Sequence, residues 1–115
     1  MYKMIFGAKR KPGMSREDFA RYWTTTHANL ARSVPGIARY VINIAPDLSG
    51  SGFEPAYDGF AETWFATPED MRASARSPQI KVVLEDEKNL FDVSTRFSVI
   101  VQENLMIDAG VWVRS

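Results

Sequence analysis

His27 is the residue of this 115-residue chain best suited to acid–base chemistry, because it is the only histidine. An imidazole is the side chain whose ordinary pKa lies nearest neutrality, so it can take up or release a proton during a reaction. We predict that His27 is a general acid or base at the floor of a pocket. The alternative is a buried structural histidine held by one hydrogen bond.

Two further polar residues fit the same chemistry. The phenol of Tyr40 can donate a hydrogen bond to a developing oxyanion or enolate, although it can also simply fill the core. Glu62 stands between apolar neighbours, and an inward-facing carboxyl there needs a cationic partner or a raised pKa. We predict that Glu62 contributes to a substrate site, the alternative being a salt bridge at an edge or an interface. Trp23, Phe60 and Trp64 are predicted as walls of that site.

The composition excludes several classes of site. There are no cysteines, which excludes disulfides, thiolate nucleophiles, Cys-ligated zinc and iron–sulfur clusters. One histidine and no acidic cluster predict no metal site, and no glycine-rich phosphate loop is present, so we expect no cofactor. Lys+Arg and Asp+Glu both number 14, without a basic stripe, which predicts no nucleic-acid partner. No apolar run is long enough for a membrane helix and no leader is recognisable, so we expect a cytoplasmic protein.

The helix that carries His27 is predicted to begin at Ser15 and to end at Pro35-Gly36. Ser15 can cap the first free N–H groups, and Asp18 stands at the reciprocal position of a capping box. Helical spacing places six residues on one apolar face. They are Phe19, Tyr22, Trp23, Thr26, His27 and Leu30.

A period of two in the side chains predicts strands at 2–9, 37–45 and 94–103, and a further strand is predicted at 59–65. Thr67-Pro68 and Ser77-Pro78 are typical helix starts and predict helices at 68–76 and 78–90. The segment 46–57 is rich in proline, glycine and serine. We predict a long loop there, of the kind that often acts as a lid or a binding segment.

The order βαββαβ predicts an α+β, ferredoxin-like fold, in which both helices cover one face of a four-stranded antiparallel sheet. The strands are apolar on both faces, so the second face would be exposed in a single copy. We therefore predict a homodimer, or a higher homo-oligomer, formed through that sheet face. The domain is predicted to span 1–103, and the apolar tail 104–115 to pack on its own domain or on a partner subunit.

The residues from Arg10 to Phe19, followed by Tyr22-Trp23, His27, the Pro35-Gly36 pair and Tyr40, resemble the EthD-type branch of the dimeric α+β barrel superfamily. The stretch from Tyr57 to Phe65 agrees with it. The resemblance implies a ferredoxin-like fold, a dimer whose sheets pack back to back, and a pocket between sheet and helices. The chain is distantly similar to methylmuconolactone methylisomerase, which implies functional roles for His27 and Tyr40. Thr63 stands near the position of that isomerase's reactive cysteine, and its second histidine has no counterpart.

Three functions follow as alternatives. The first is a cofactor-free isomerase or lyase that moves a proton on a small apolar carbonyl or lactone compound, with His27 as base and Tyr40 as oxyanion donor. The second is a cofactor-independent or haem-linked monooxygenase. The third is a non-catalytic ligand-binding or assembly domain, as the resemblance also allows. A cavity beside His27 and Tyr40 favours the enzymatic alternatives.

Overall fold

A computed structural model of the chain describes residues 1–53 and 55–114, and its centre is a four-stranded antiparallel sheet. The strands are β1 (Tyr2–Arg10), β2 (Arg39–Ile44), β3 (Gly59–Phe65) and β4 (Phe91–Gln102). Their order in the sheet is β2-β3-β1-β4. This is the predicted ferredoxin-like arrangement, which is confirmed. Strand β4 begins earlier than predicted because Phe91 pairs with Arg10 beyond an irregularity in β1.

The helices lie on one face of the sheet. They are α1 (Arg16–Tyr22), a π-helical turn (Trp23–His27), α2 (Ala28–Ala31), α3 (Pro68–Arg76), α4 (Pro78–Asp86) and a 3-10 turn (Glu87–Asn89). Three predicted caps are present. The hydroxyls of Ser15, Thr67 and Ser77 each accept a hydrogen bond from the backbone N–H three residues on, at 3.1 Å.

The core forms where the first helical segment meets the inner face of the sheet. The ring of Trp23 packs 5.5 Å from Phe19 and 4.9 Å from Phe91, between ring centroids, and 6.3 Å from Phe6. Leu90 lies in the same cluster and is fully buried. These contacts fix the first helical segment over strands β1 and β3, which carry the inner residues Phe6 and Ala61.

The π-helical turn changes which residues face inward. In a π turn the residue five positions on returns to the same side, instead of the third or fourth. Tyr22 and His27 therefore point the same way, and both contact Asp86. Thr26 was predicted on the apolar face, and this prediction is wrong. The structure exposes Thr26, because the wider turn rotates it out of register with the α-helical face.

The outer face of the sheet carries apolar side chains that no helix covers. Phe60 on β3 and Val99 on β4 are 40% and 41% exposed. Two short strands, β5 (Ile107–Asp108) and β6 (Val111–Trp112), form a separate hairpin after β4. No helix among the described residues is long and apolar enough to cross a membrane.

The burial of Leu90 leads to a stability prediction. Leu90→Ala should lower the free energy of unfolding by about 2–5 kcal/mol, because the side chain is fully buried and its removal leaves a cavity. Leu84→Ala is the matched control, since Leu84 is 47% exposed and should cost no more than about 1 kcal/mol. Urea unfolding at one protein concentration measures both. Equal losses would contradict the core assigned here.

Candidate functional site

A cavity of about 490 Å³ lies between the inner face of the sheet and the helices. The sheet contributes Met4, Phe65 and Ile100 to its lining, and the helical side contributes Met71 and Ile80. Its size falls within the usual range for small-molecule sites, which are mostly apolar with a few placed polar groups. The cavity is therefore suited to a small, largely apolar molecule.

An ion pair forms one polar part of this lining. Glu87 is 5% exposed, and its carboxylate accepts from Arg96 Nε at 2.6 Å and from Arg96 Nη2 at 3.2 Å. Both residues line the cavity. The guanidinium also lies over the ring of Phe6, 5.2 Å from its centroid. Because a guanidinium has more N–H groups than Glu87 occupies, Arg96 can still donate to a bound ligand.

Tyr40 is the second polar group that lines the cavity. Its hydroxyl oxygen accepts a hydrogen bond from Trp23 Nε1 at 3.0 Å. Burial raises the pKa of Tyr40 to about 12; the bond from Trp23 opposes the rise, and the negative charge of Glu87 adds to it. The phenol is therefore neutral at physiological pH. Since its oxygen accepts from Trp23, its proton remains available for donation to another acceptor.

His27 is fully buried and does not line this cavity. Its Nδ1 atom is 2.8 Å from Oδ2 of Asp86, whose other oxygen accepts from the Tyr22 hydroxyl at 2.6 Å and from Asn89 Nδ2 at 2.9 Å. Burial alone would raise the pKa of Asp86, but the hydrogen bonds from Tyr22, Asn89 and His27 outweigh it and lower that pKa. The Asp86 carboxylate thus joins Tyr22, His27 and Asn89 in one hydrogen-bonded cluster.

The structure does not place His27 where the sequence predicted it. His27 is absent from the cavity lining, and Trp23 is the residue that contacts the Tyr40 hydroxyl. The π turn and the bond to Asp86 direct the imidazole toward α4 instead. Its Nε2 atom is buried and has no hydrogen-bond partner among the described residues. The predicted acid–base role of His27 therefore stays a prediction without a contact to the cavity.

Three other predicted site residues lie on the opposite face of the sheet. Side chains alternate along β3, so Ala61 and Thr63 face the helices while Phe60, Glu62 and Trp64 face outward. The structure therefore does not bring these three to the cavity. This placement fits the alternative that the sequence left open for Glu62, a salt bridge at an edge or an interface.

The outer-face charges form a connected group. Lys3 Nζ lies 2.8 Å from Glu62 and 3.4 Å from Glu103. Trp64 Nε1 donates to Glu103 at 2.6 Å. The Lys3 ammonium and the Arg39 guanidinium lie 4.8 Å and 4.5 Å from the Trp64 ring centroid. The hydrogen bond that Lys3 donates to Glu62 raises the pKa of Lys3 against the opposing effect of burial, and Glu103 adds to the rise.

The sequence prediction missed Glu87 and Arg96. Glu87 stands in a run of charged residues at the end of the predicted second helical region, a pattern typical of a solvated helix end. Arg96 gave no clearer signal, because it alternates with Ser98 on the strand face opposite Phe97 and Val99, and that more polar face is expected to lie toward solvent. In the structure this face lies toward the helices, where Arg96 pairs with Glu87.

The loop predicted at 46–57 does not cover the cavity. None of its described residues, 46–53 and 55–57, lines the cavity, and Tyr57 packs instead on Phe97, 4.8 Å between ring centroids. Asp58, which follows the loop, accepts hydrogen bonds from the backbone N–H and the guanidinium of Arg10, both at 2.8 Å. Within the described ranges no three His, Asp or Glu residues are grouped to hold a metal ion.

Solved structures with the same fold were found. An EthD (ethyl tert-butyl ether D) family protein from Bacillus halodurans C-125 is 18% identical with a TM-score of 0.71, over 90% of this chain and 100% of that one. A dimeric ferredoxin-like protein of unknown function from Thermobifida fusca YX is 16% identical with a TM-score of 0.65, over 87% and 88%. SnoaB, a cofactor-independent oxygenase from Streptomyces nogalater, is 14% identical with a TM-score of 0.58, over 90% and 94%.

At these identities the likeness establishes the fold alone. No curated protein matches the sequence. The family model described as the EthD domain matches residues 11–94, which is well over half of the chain. The chain therefore belongs to the EthD domain family.

Proposed function

We propose that this chain is a cofactor-free enzyme that transfers a proton on a small, largely apolar carbonyl or lactone compound bound in the cavity. The observation that carries the proposal is the placement of Tyr40, Glu87 and Arg96 in a lining that is otherwise mostly apolar. Such a lining binds an apolar molecule, and the few polar groups determine how its oxygen is oriented.

Tyr40 is the group we place on the substrate oxygen. Its neutral hydroxyl donates a hydrogen bond as negative charge develops on a carbonyl oxygen, and the bond from Trp23 keeps the hydroxyl in place. Arg96 supports the same charge from the ion pair with Glu87. These donors are fixed by packing before a ligand binds, so they need little reorganisation during the reaction.

Glu87 is the group we propose as the base. Among the described residues that line the cavity, Glu87 alone has a carboxylate or an imidazole, the groups that act as a base near neutral pH. In the proposed step, Glu87 removes a proton from the carbon next to the carbonyl, and the electron pair of the C–H bond moves to the oxygen held by Tyr40. Return of the proton to another carbon gives an isomerase, and loss of a neighbouring leaving group gives a lyase.

His27 has a different place in this proposal. The sequence-based hypothesis made His27 the base, but the imidazole is enclosed and bonded to Asp86. Asp86 directly precedes Glu87 in the chain, and Tyr22, His27 and Asn89 hold its carboxylate. We therefore propose that His27 is a positioning residue that fixes the turn from which Glu87 reaches the cavity.

A homodimer through the outer sheet face is part of the proposal. The exposed apolar side chains of Phe60 and Val99 support it, as does the dimeric description of the ferredoxin-like protein from Thermobifida fusca YX. The charged group around Glu62 would then lie within the interface and help to set its register.

A cofactor-independent oxygenase is the second candidate, favoured by the shared fold with SnoaB. In this case the enolate formed at Tyr40 would react with dioxygen. Oxygen uptake in an electrode separates the two candidates. The haem-linked version fits this structure poorly, because the chain's one histidine is buried, is bonded to Asp86 and does not line the cavity.

The proposed base and oxygen donor can be tested with a simple ketone. 2-Tetralone in D₂O exchanges its α-protons, and NMR follows the exchange catalysed by the purified chain. Glu87→Gln should slow the catalysed exchange by about 100-fold or more, since a positioned base contributes about that much. Tyr40→Phe should slow it by a comparable factor, because it removes the donor to the oxygen.

Glu85→Gln is the matched control and should leave the rate unchanged, because Glu85 is exposed near the end of α4, two residues before Glu87. If folded Glu87→Gln retains the wild-type rate, the base is assigned wrongly. If 2-tetralone binds to the wild-type chain without any catalysed exchange, the result favours the non-catalytic alternative for this ligand class.

The role of His27 gives a separate prediction. His27→Gln should lower the free energy of unfolding by about 1–3 kcal/mol, because the buried carboxylate of Asp86 loses a partner. Catalysed exchange should persist in the folded fraction, with Glu87 still in the cavity. Urea unfolding and the exchange assay measure the two effects. A variant that is as stable as the wild type yet inactive would contradict the positioning role, because the bond to Asp86 would then contribute nothing, and would return the role of base to His27.

A further inference from the structure

We propose that the C-terminal hairpin, residues 105–114, docks on a second copy of this chain as an arm of the dimer interface. The inference rests on the dimer proposed above and adds to it a surface that is not part of the sheet face. The apolar character of the hairpin, its conformation and its position beside the outer face support it.

The hairpin has a defined conformation. Ala109 and Gly110, with φ of 50° and 79°, form the turn between β5 and β6, as the two-residue hairpin connection with positive φ at both positions requires. Ile107 pairs with Trp112 and Asp108 with Val111. The backbone N–H of Val113 donates to the carbonyl of Met106 at 2.9 Å and closes the hairpin.

The hairpin exposes apolar side chains on both of its faces. Ile107 and Trp112 share one face and are both 59% exposed, while Val111, on the other face, is 64% exposed. An isolated two-stranded hairpin is at best marginally stable in water. Because the described residues of its own domain cover neither face, the hairpin needs a surface from outside this copy to bury these side chains.

The overall dimensions show the same extension. The Cα radius of gyration is 15.6 Å, whereas a compact domain of this length has about 13 Å. The hairpin follows directly after β4, and its two strands pack mainly on each other. It therefore projects from the domain as an arm.

The position of the arm favours a second copy as its partner. Leu105 and Arg114, at its base, border a surface depression together with Arg39 and Trp64, whose side chains belong to the outer face. The base of the arm thus borders the outer face of the sheet. In a two-fold dimer the same patch is used by both copies, so each arm would reach the other subunit and the contact would be made twice.

Sedimentation equilibrium over a dilution series tests the proposal with the full chain. Trp112→Asp should raise the Kd of the dimer at least about tenfold, because a charge replaces a large aromatic group in a desolvated contact. Trp112→Phe should keep the Kd within about threefold, since it preserves an apolar ring. Val82→Asp is the control: Val82 is 54% exposed but lies on α4, on the other side of the sheet, and should not change the Kd.

Val99→Asp, on the outer sheet face, separates this inference from the dimer itself. If Val99→Asp dissociates the dimer while Trp112→Asp leaves the Kd unchanged, the sheet interface stands and the arm is overturned. If the wild-type chain is a monomer at every concentration, both the proposed dimer and the proposed arm contact are contradicted. Circular dichroism of each variant confirms that a changed Kd does not come from unfolding.

Discussion

The packing of Trp23 is the interaction on which the rest of the structure depends. Its ring joins Phe6 of the sheet to Phe91 of β4, and its indole N–H holds the Tyr40 hydroxyl. The close approach also explains Gly59, since a Cβ at this position would lie 2.7 Å from Cζ3 of Trp23. Trp23 thus fixes the first helical segment on the sheet and holds the Tyr40 hydroxyl, the polar group proposed to orient a ligand in the cavity.

The charged groups near the cavity are held in pairs. Glu87 has Arg96, Asp86 has Tyr22 and His27, and each pair is largely withdrawn from water. Buried charges are tolerated when they are paired and hydrogen-bonded, and removing one partner is more costly than removing both. The groups proposed for chemistry therefore also contribute to stability, because Glu87 and Arg96 satisfy each other's hydrogen bonds.

The sequence predicted the fold because its signals were local and mutually consistent. Two-residue alternation marked the strands, and Thr67-Pro68 and Ser77-Pro78 marked helix starts that the structure confirms. The site was harder to predict. The π turn displaced the face that carries His27, and no periodicity rule anticipates a five-residue turn. Glu87 and Arg96 lie nine residues apart and meet only through the path of the chain from α4 into β4.

Neighbouring residues of strand β3 face two different surfaces, the cavity and the outer face of the sheet. Thr63 faces the cavity and Trp64, its neighbour, faces the outer surface. If the proposed cavity function and outer-face dimer hold, a substitution at Thr63 would alter ligand selection and leave assembly untouched, while a substitution at Trp64 would do the opposite. The two properties can therefore diverge independently over evolutionary time although they are encoded by interleaved codons. Residues that face the cavity can change, and with them the ligand that is bound, while residues on the outer face and the contacts between subunits stay the same.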